Sequence, residues 1–150
     1  MNVTQAREAI QDLKAGVIRL TGEAMMEHES EILRIFIDQH EYEGVDSDNR
    51  PLAPYTRRTV EIKKYKGIYS GHTDFRDTGE FHNTTRLNID GDEFSFSSPS
   101  KTHDGILKSR KLTEWNGSEI MDLTKENEAL IYPIIEDTLK EKINEQLAFD

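Results

Sequence analysis

Phe81-His82-Asn83-Thr84-Thr85-Arg86-Leu87-Asn88-Ile89-Asp90-Gly91-Asp92-Glu93-Phe94-Ser95-Phe96-Ser97 is the stretch on which the fold turns. From Phe81 to Ile89 the pattern alternates, with Phe81, Thr85, Leu87 and Ile89 on one face. Asp90-Gly91 then supplies a two-residue turn, and Phe94 and Phe96 resume the alternation. Period two is the mark of a half-buried strand, and Asp-Gly between two such runs signals a hairpin, because primed turns need positive φ. Ser98-Pro99-Ser100 ends it. A hairpin alone is marginal in water, so at least one further strand is expected, from Val17–Leu20 or from Lys108–Leu112.

The flanks read as helices. Ala6, Ile10, Leu13 and Val17 recur at three- and four-residue spacing, predicting a helix over Thr4–Lys14 that stops at Gly16. Thr21 is placed to cap a second helix reaching His40, with Met25, Ile32, Leu33, Phe36 and Ile37 on one side. After an ambiguous Lys101–Gly117, a closing helix carries Ile131, Ile135, Leu139, Ile143 and Leu147 at every fourth position, and Pro133 opens it. The expected fold class is α+β: N-terminal helices and a C-terminal helix on a small antiparallel sheet with a central hairpin. Residues 1–150 read as one domain, near the ordinary domain size.

Between these elements, Gly44–Asp77 reads as a long extended loop or arm. It holds Pro51 and Pro54, many turn formers and few apolar anchors, so it is expected to order only against neighbours. Tyr55–Lys66 allows a helical turn or two and carries Arg57, Arg58, Lys63, Lys64 and Lys66. In a chain of net charge −10, this basic run is either a solvated face or a contact with the acidic surface of another copy.

Catalytic chemistry finds no pattern here. There are no cysteines, which excludes disulfides and thiolate metal sites. His72, Asp74, His82, His103 and Asp104 lack ligand spacing, and His82-Asn83 lacks the companions a small nuclease needs. No phosphate-cradling glycine loop or Gly-x-Ser-x-Gly occurs. The acidic charge disfavours nucleic acid as the main ligand. No apolar run approaches the ~20 residues of a membrane span, and the N-terminus lacks a signal-peptide pattern. No catalytic residue, cofactor or metal is expected.

Three stretches, in order, resemble the virion-morphogenesis or tail-completion proteins of tailed bacteriophages. Arg50-Pro51-Leu52-Ala53-Pro54-Tyr55-Thr56, followed by Lys63 and Lys64, is similar to that family's proline–leucine–proline–threonine segment and its basic run. Asp77-Thr78-Gly79-Glu80-Phe81 is similar to the Asp-Thr-Gly that leads into the family's first hairpin strand. Ile120-Met121-Asp122-Leu123-Thr124-Lys125-Glu126-Asn127 resembles the stretch that opens its last helix. Asp122 stands where a glycine is usual. The resemblance implies a non-enzymatic protein that forms a homo-oligomeric ring at the head–tail junction. Its implied partners are itself and neighbouring portal, connector and tail proteins, with no membrane and no sequence-specific nucleic acid. The implied location is the virion, assembled in the host cytoplasm. The candidate interface is Pro51, Leu52, Pro54, Tyr55, Arg57, Arg58, Lys63, Lys64 and Lys66. The alternatives are another connector, such as a head-proximal adaptor or tail-tube terminator, or a small metal-dependent hydrolase or nuclease.

Overall fold

A computed structural model describes residues 2–148. Its class is α+β, with helices at both ends and one antiparallel hairpin. Helix α1 spans Val3–Glu27 and opens on a capping box in which Asn2 and Gln5 satisfy each other's backbone N–H groups. Two N-terminal helices were expected and two form, but the break between them is not at Gly16–Thr21. Gly16 sits inside α1 with open space around it, where glycine costs only about 1 kcal/mol relative to alanine. Thr21 does not cap; its hydroxyl donates back to the Val17 carbonyl at 2.7 Å. The break comes instead at His28, whose ring reaches Glu31 and, across to the last helix, Thr138.

Helix α2, Glu29–Asp38, runs on into a π-helical turn over Gln39–Glu43. Gly44 ends that turn at φ 64°, and a Cβ there would lie 2.6 Å from the His72 ring. Both the backbone and the close approach demand glycine. Helix α3 is Arg57–Tyr65, α4 is the single turn Glu80–Asn83, and strands β1, Arg86–Asp90, and β2, Glu93–Ser97, form the hairpin. Helix α5, Lys108–Asn116, a 3-10 turn over Ser118–Met121, the short α6, Lys125–Glu128, and α7, Ile131–Ala148, complete the chain.

The hairpin stands where the alternation placed it, with two corrections. Asp90 pairs with Glu93, so the loop is Gly91-Asp92 and not Asp90-Gly91. Gly91 takes φ 61° while Asp92 keeps a negative φ, which fits the primed turn with glycine at its first central position. Phe81 lies in α4 rather than in a strand. The Thr84 and Thr85 hydroxyls donate to the carbonyls of Glu80 and Phe81, at 2.7 and 2.8 Å, and close that turn before β1 begins.

Among the described residues no third strand joins the sheet. Val17–Leu20 belongs to α1, and Lys108–Leu112 to α5. Helices stabilise the hairpin instead. Leu87 and Phe96, opposite each other in the ladder, pack with Ala24 and Met25 of α1, Ile32 and Phe36 of α2, and Ile131 and Ile135 of α7. Phe36 stacks on Phe96 at 4.3 Å between ring centres. The α7 stripe is buried at Ile131 and Ile135, partly covered at Leu139 and Ile143, and exposed at Leu147. Pro133 falls in the first turn of α7, where its missing N–H has no helical partner to lose.

A second apolar cluster, Leu52, Phe75, Phe81 and Ile120, lies under residues 44–77. That segment is therefore folded onto the domain and is not an extended arm without a core. One buried side chain links the two halves. Gln39, from the π-helical turn, donates to the Asp122 carbonyl and accepts from the Thr124 N–H and the Asn127 amide.

A candidate interface helix and its buried anchor

Local polar chemistry folds residues 44–77 stepwise. The Asp46 carboxylate accepts from the backbone N–H groups of Asp48 and Arg50 and from the Arg50 guanidinium, closing a tight turn. Ala53 is held on both sides: its N–H donates to Asn116 and its carbonyl accepts from Thr73, each at 2.7 Å. Thr56 then caps α3 by accepting from the Thr59 N–H at 3.2 Å.

The inner face of α3 carries Lys63, which is buried. Its ammonium donates to Asp74 at 3.1 Å and to the Arg76 carbonyl, and lies 4.9 Å from the centre of the Tyr55 ring. Asp74 also accepts from the Tyr55 hydroxyl at 2.8 Å, Ser70 at 2.9 Å and the Arg76 N–H at 3.0 Å. Burial pushes the Asp74 carboxyl up. The donors from Arg76, Tyr55, Lys63 and Ser70 outweigh it and hold the group below its ordinary range. The Tyr55 phenol is pushed up, first by burial and then by its bond to that carboxylate. Next to Asp74, Phe75 adopts φ 55°, a strained conformation for an aromatic residue. Packing against His40, Phe81 and Trp115 holds it there.

The outer face differs. Arg57 pairs with Glu61 at 3.0 Å and Lys66 with Asp77 at 2.9 Å. Among the described residues, Arg58 and Lys64 make no ion pair, and Lys64 lies 5.4 Å from the Tyr69 ring centre. Beside them Tyr65 is 94% exposed and Ile62 44%. Of the nine residues the sequence singled out, Pro51, Pro54, Arg57, Arg58, Lys64 and Lys66 face solvent and Tyr55 is half-buried. Leu52 and Lys63 are corrections. Leu52 belongs to the second apolar cluster, and Lys63 is spent on Asp74, so neither faces another chain. Tyr65 and Ile62 take their places in the exposed surface. Helical spacing offered a signal for this division, since at about 3.6 residues per turn Lys63 falls on the face opposite Arg58 and Tyr65.

The histidines do not form one centre. His72 bonds the Glu41 carbonyl at 2.8 Å, His82 bonds the Glu41 carboxylate at 3.2 Å, and His103 stands fully exposed on a distant turn. Among the described residues no three His, Asp or Glu side chains converge as metal ligands. The sequence reading missed His40, which is fully buried. Its Nε2–H donates to the Ile120 carbonyl at 2.8 Å, and its ring stacks on His82 at 5.6 Å. Among the described residues, His40 Nδ1 and His82 Nε2 are buried without a hydrogen-bond partner. Burial, with His82 adjacent, drives the His40 ring down to about 3. Burial also lowers His82, against the pull of Glu41.

No helix among the described residues is long and apolar enough to cross a membrane. No protein-family model matches the chain, and no curated protein or solved structure matches it.

Proposed function

We propose that this chain is a structural component of a tailed-bacteriophage virion, a neck or tail-completion protein that assembles with copies of itself into a ring at the head–tail junction. The observation that carries this reading is the outer face of α3. Arg58 and Lys64, without an ion pair among the described residues, lie exposed with Tyr65, and Ile62 borders them, on a molecule of net charge −10. Arginine and tyrosine are enriched where proteins meet, and a basic patch on an acidic chain fits the acidic surface of the next copy. A contact between two different patches repeats head to tail, and closes into a ring when the rotation allows.

The buried anchor supports the same role. Lys63, Asp74 and Tyr55 fix α3 on the domain, so its outer face is presented rigidly and little ordering entropy is lost on contact. The three stretches that carry the resemblance also meet: Leu52, Phe81 and Ile120, one from each, pack in the same cluster. Negative-stain imaging of the concentrated protein at low salt tests the reading. Closed rings of uniform diameter are expected. Particles that remain single domains, or open filaments, contradict it.

A further inference from the structure

We infer that the N-terminal half of α1 is a self-association seam, and that its occupant is α1 of a second copy lying parallel to it. The ring reading is not needed for this, since a different helix and different chemistry are involved. Helix α7 runs antiparallel to α1. The pairs His28–Thr138, Glu27–Lys142 and Arg19–Gln146 mark their alignment. Leu147, in the last described turn of α7, reaches the level of Leu13, where both line a shallow cleft with Val17 and Ile143. Residues 3–11 of α1 extend past it, about 14 Å of helix at ~1.5 Å per residue.

That extension is patterned. Val3, Ala6, Ile10, Leu13, Val17, Leu20 and Ala24 follow one another at spacings of three and four without a fault, which is a coiled-coil a/d repeat. Leu20 and Ala24 are buried, whereas Val3 is 87%, Ile10 66% and Leu13 65% exposed. The seam thus begins inside the molecule's own helix packing and continues into solvent. An amphipathic surface helix needs only a polar outer face there; an unbroken a/d row is what a facing helix requires.

The residue types name the occupant. Along the solvent-facing part of the row the a positions Val3 and Ile10 are both β-branched and the d positions are Ala6 and Leu13, Leu20 being buried within the molecule; β-branched a positions with leucine at d favour two parallel strands. In that alignment the flanking residues meet as Asn2 with Arg7 and Ala9 with Lys14, without a like-charge pair. An antiparallel alignment would set the basic Arg7 and Lys14 edges against each other, which is unfavourable.

Sedimentation equilibrium tests this at ~0.5 M salt, where exposed charge contacts are screened to a few ångströms. The parent chain is expected to dimerise reversibly at concentrations up to about 1 mM. Val3→Glu with Ile10→Glu is expected to weaken the dimer at least tenfold with no shift in the melting temperature of the dilute monomer, because both side chains are exposed and lie beyond the cleft with α7. The chain has no native cysteine, so single Ile10→Cys and Gln11→Cys variants report orientation. Ile10→Cys is expected to oxidise to a disulfide-linked dimer much faster than Gln11→Cys. A parent that stays monomeric at high salt overturns the inference. So does a double variant that associates like the parent, or equal cross-linking at the two positions. Loss of rings on reversing α3 charges while this dimer persists would separate the two contacts.

Discussion

Lys63 and Asp74 are two opposite charges taken out of water together, 4% and 2% exposed. Such a pair adds little over an apolar pair of the same shape, yet removing one partner is costly because the other charge stays buried. Lys63→Met is expected to destabilise the fold by about 3–5 kcal/mol in urea unfolding. Lys64→Met, one position away on the solvent face, is expected to change stability by no more than about 0.5 kcal/mol. Equal effects at the two positions would place Lys63 on the surface. His40 and His82 make a second residue-scale prediction. Both rings titrate lower in the folded chain than their unfolded value near ~6.5. Their stabilising contribution is therefore complete above that pH. It is lost as pH falls, because the unfolded chain takes protons that the folded chain refuses. Asp74, also depressed, adds a loss in the same direction at lower pH. Stability should fall below pH ~6.5 by up to about 1.4 kcal/mol per pH unit for each histidine. His40→Phe keeps a ring in the stack and should flatten that slope, even though loss of the bond to the Ile120 carbonyl lowers its stability at pH 7. An unchanged slope would remove His40 from the acid response.

Among the elements, the hairpin is the clearest case of structure written locally. Period two and a glycine at the turn are properties of neighbouring residues, so they were legible in the sequence. The turn lay one residue further on because the glycine takes the first central position and Asp92 the second. Gly91→Val should cost about 1–3 kcal/mol, since a β-branched residue resists φ 61°; a variant melting like the parent would contradict the turn. The helices were legible as types but not as boundaries. Gly16 and Thr21 carry weak local preferences that a continuous helix overrides, and the break falls at His28, whose ring bonds Thr138, far away in sequence. The anchor was the least legible. Lys63 sits in a run of exposed cations, and only its position relative to Asp74, eleven residues on, makes it a core residue. For α7 the even fourfold stripe hid a gradient of burial. Ile135→Ala should destabilise by about 2–5 kcal/mol and Leu147→Ala by less than about 0.5 kcal/mol. Similar losses at both ends in thermal melts would mean the stripe is covered along its whole length.

At the scale of the molecule, the core packing leaves exposed the two surfaces on which the proposed contacts rest. One is the cationic, aromatic outer face of α3; the other is the apolar a/d row at the start of α1. The α3 face is central to the proposed role, because a ring needs two unlike patches on one subunit. Attraction between a basic patch and an acidic neighbour weakens with salt, while an apolar seam does not. The most direct measurement is native mass at low and high salt for the parent and for Arg58→Glu with Lys64→Glu. Both residues are exposed and, among the described residues, unpaired, so the fold should be unaffected. The parent is expected to form a closed oligomer of fixed mass at low salt that falls apart as salt rises, and the double variant to form none at either. A low-salt oligomer of the same mass in the variant, or a parent that never assembles, would contradict the account.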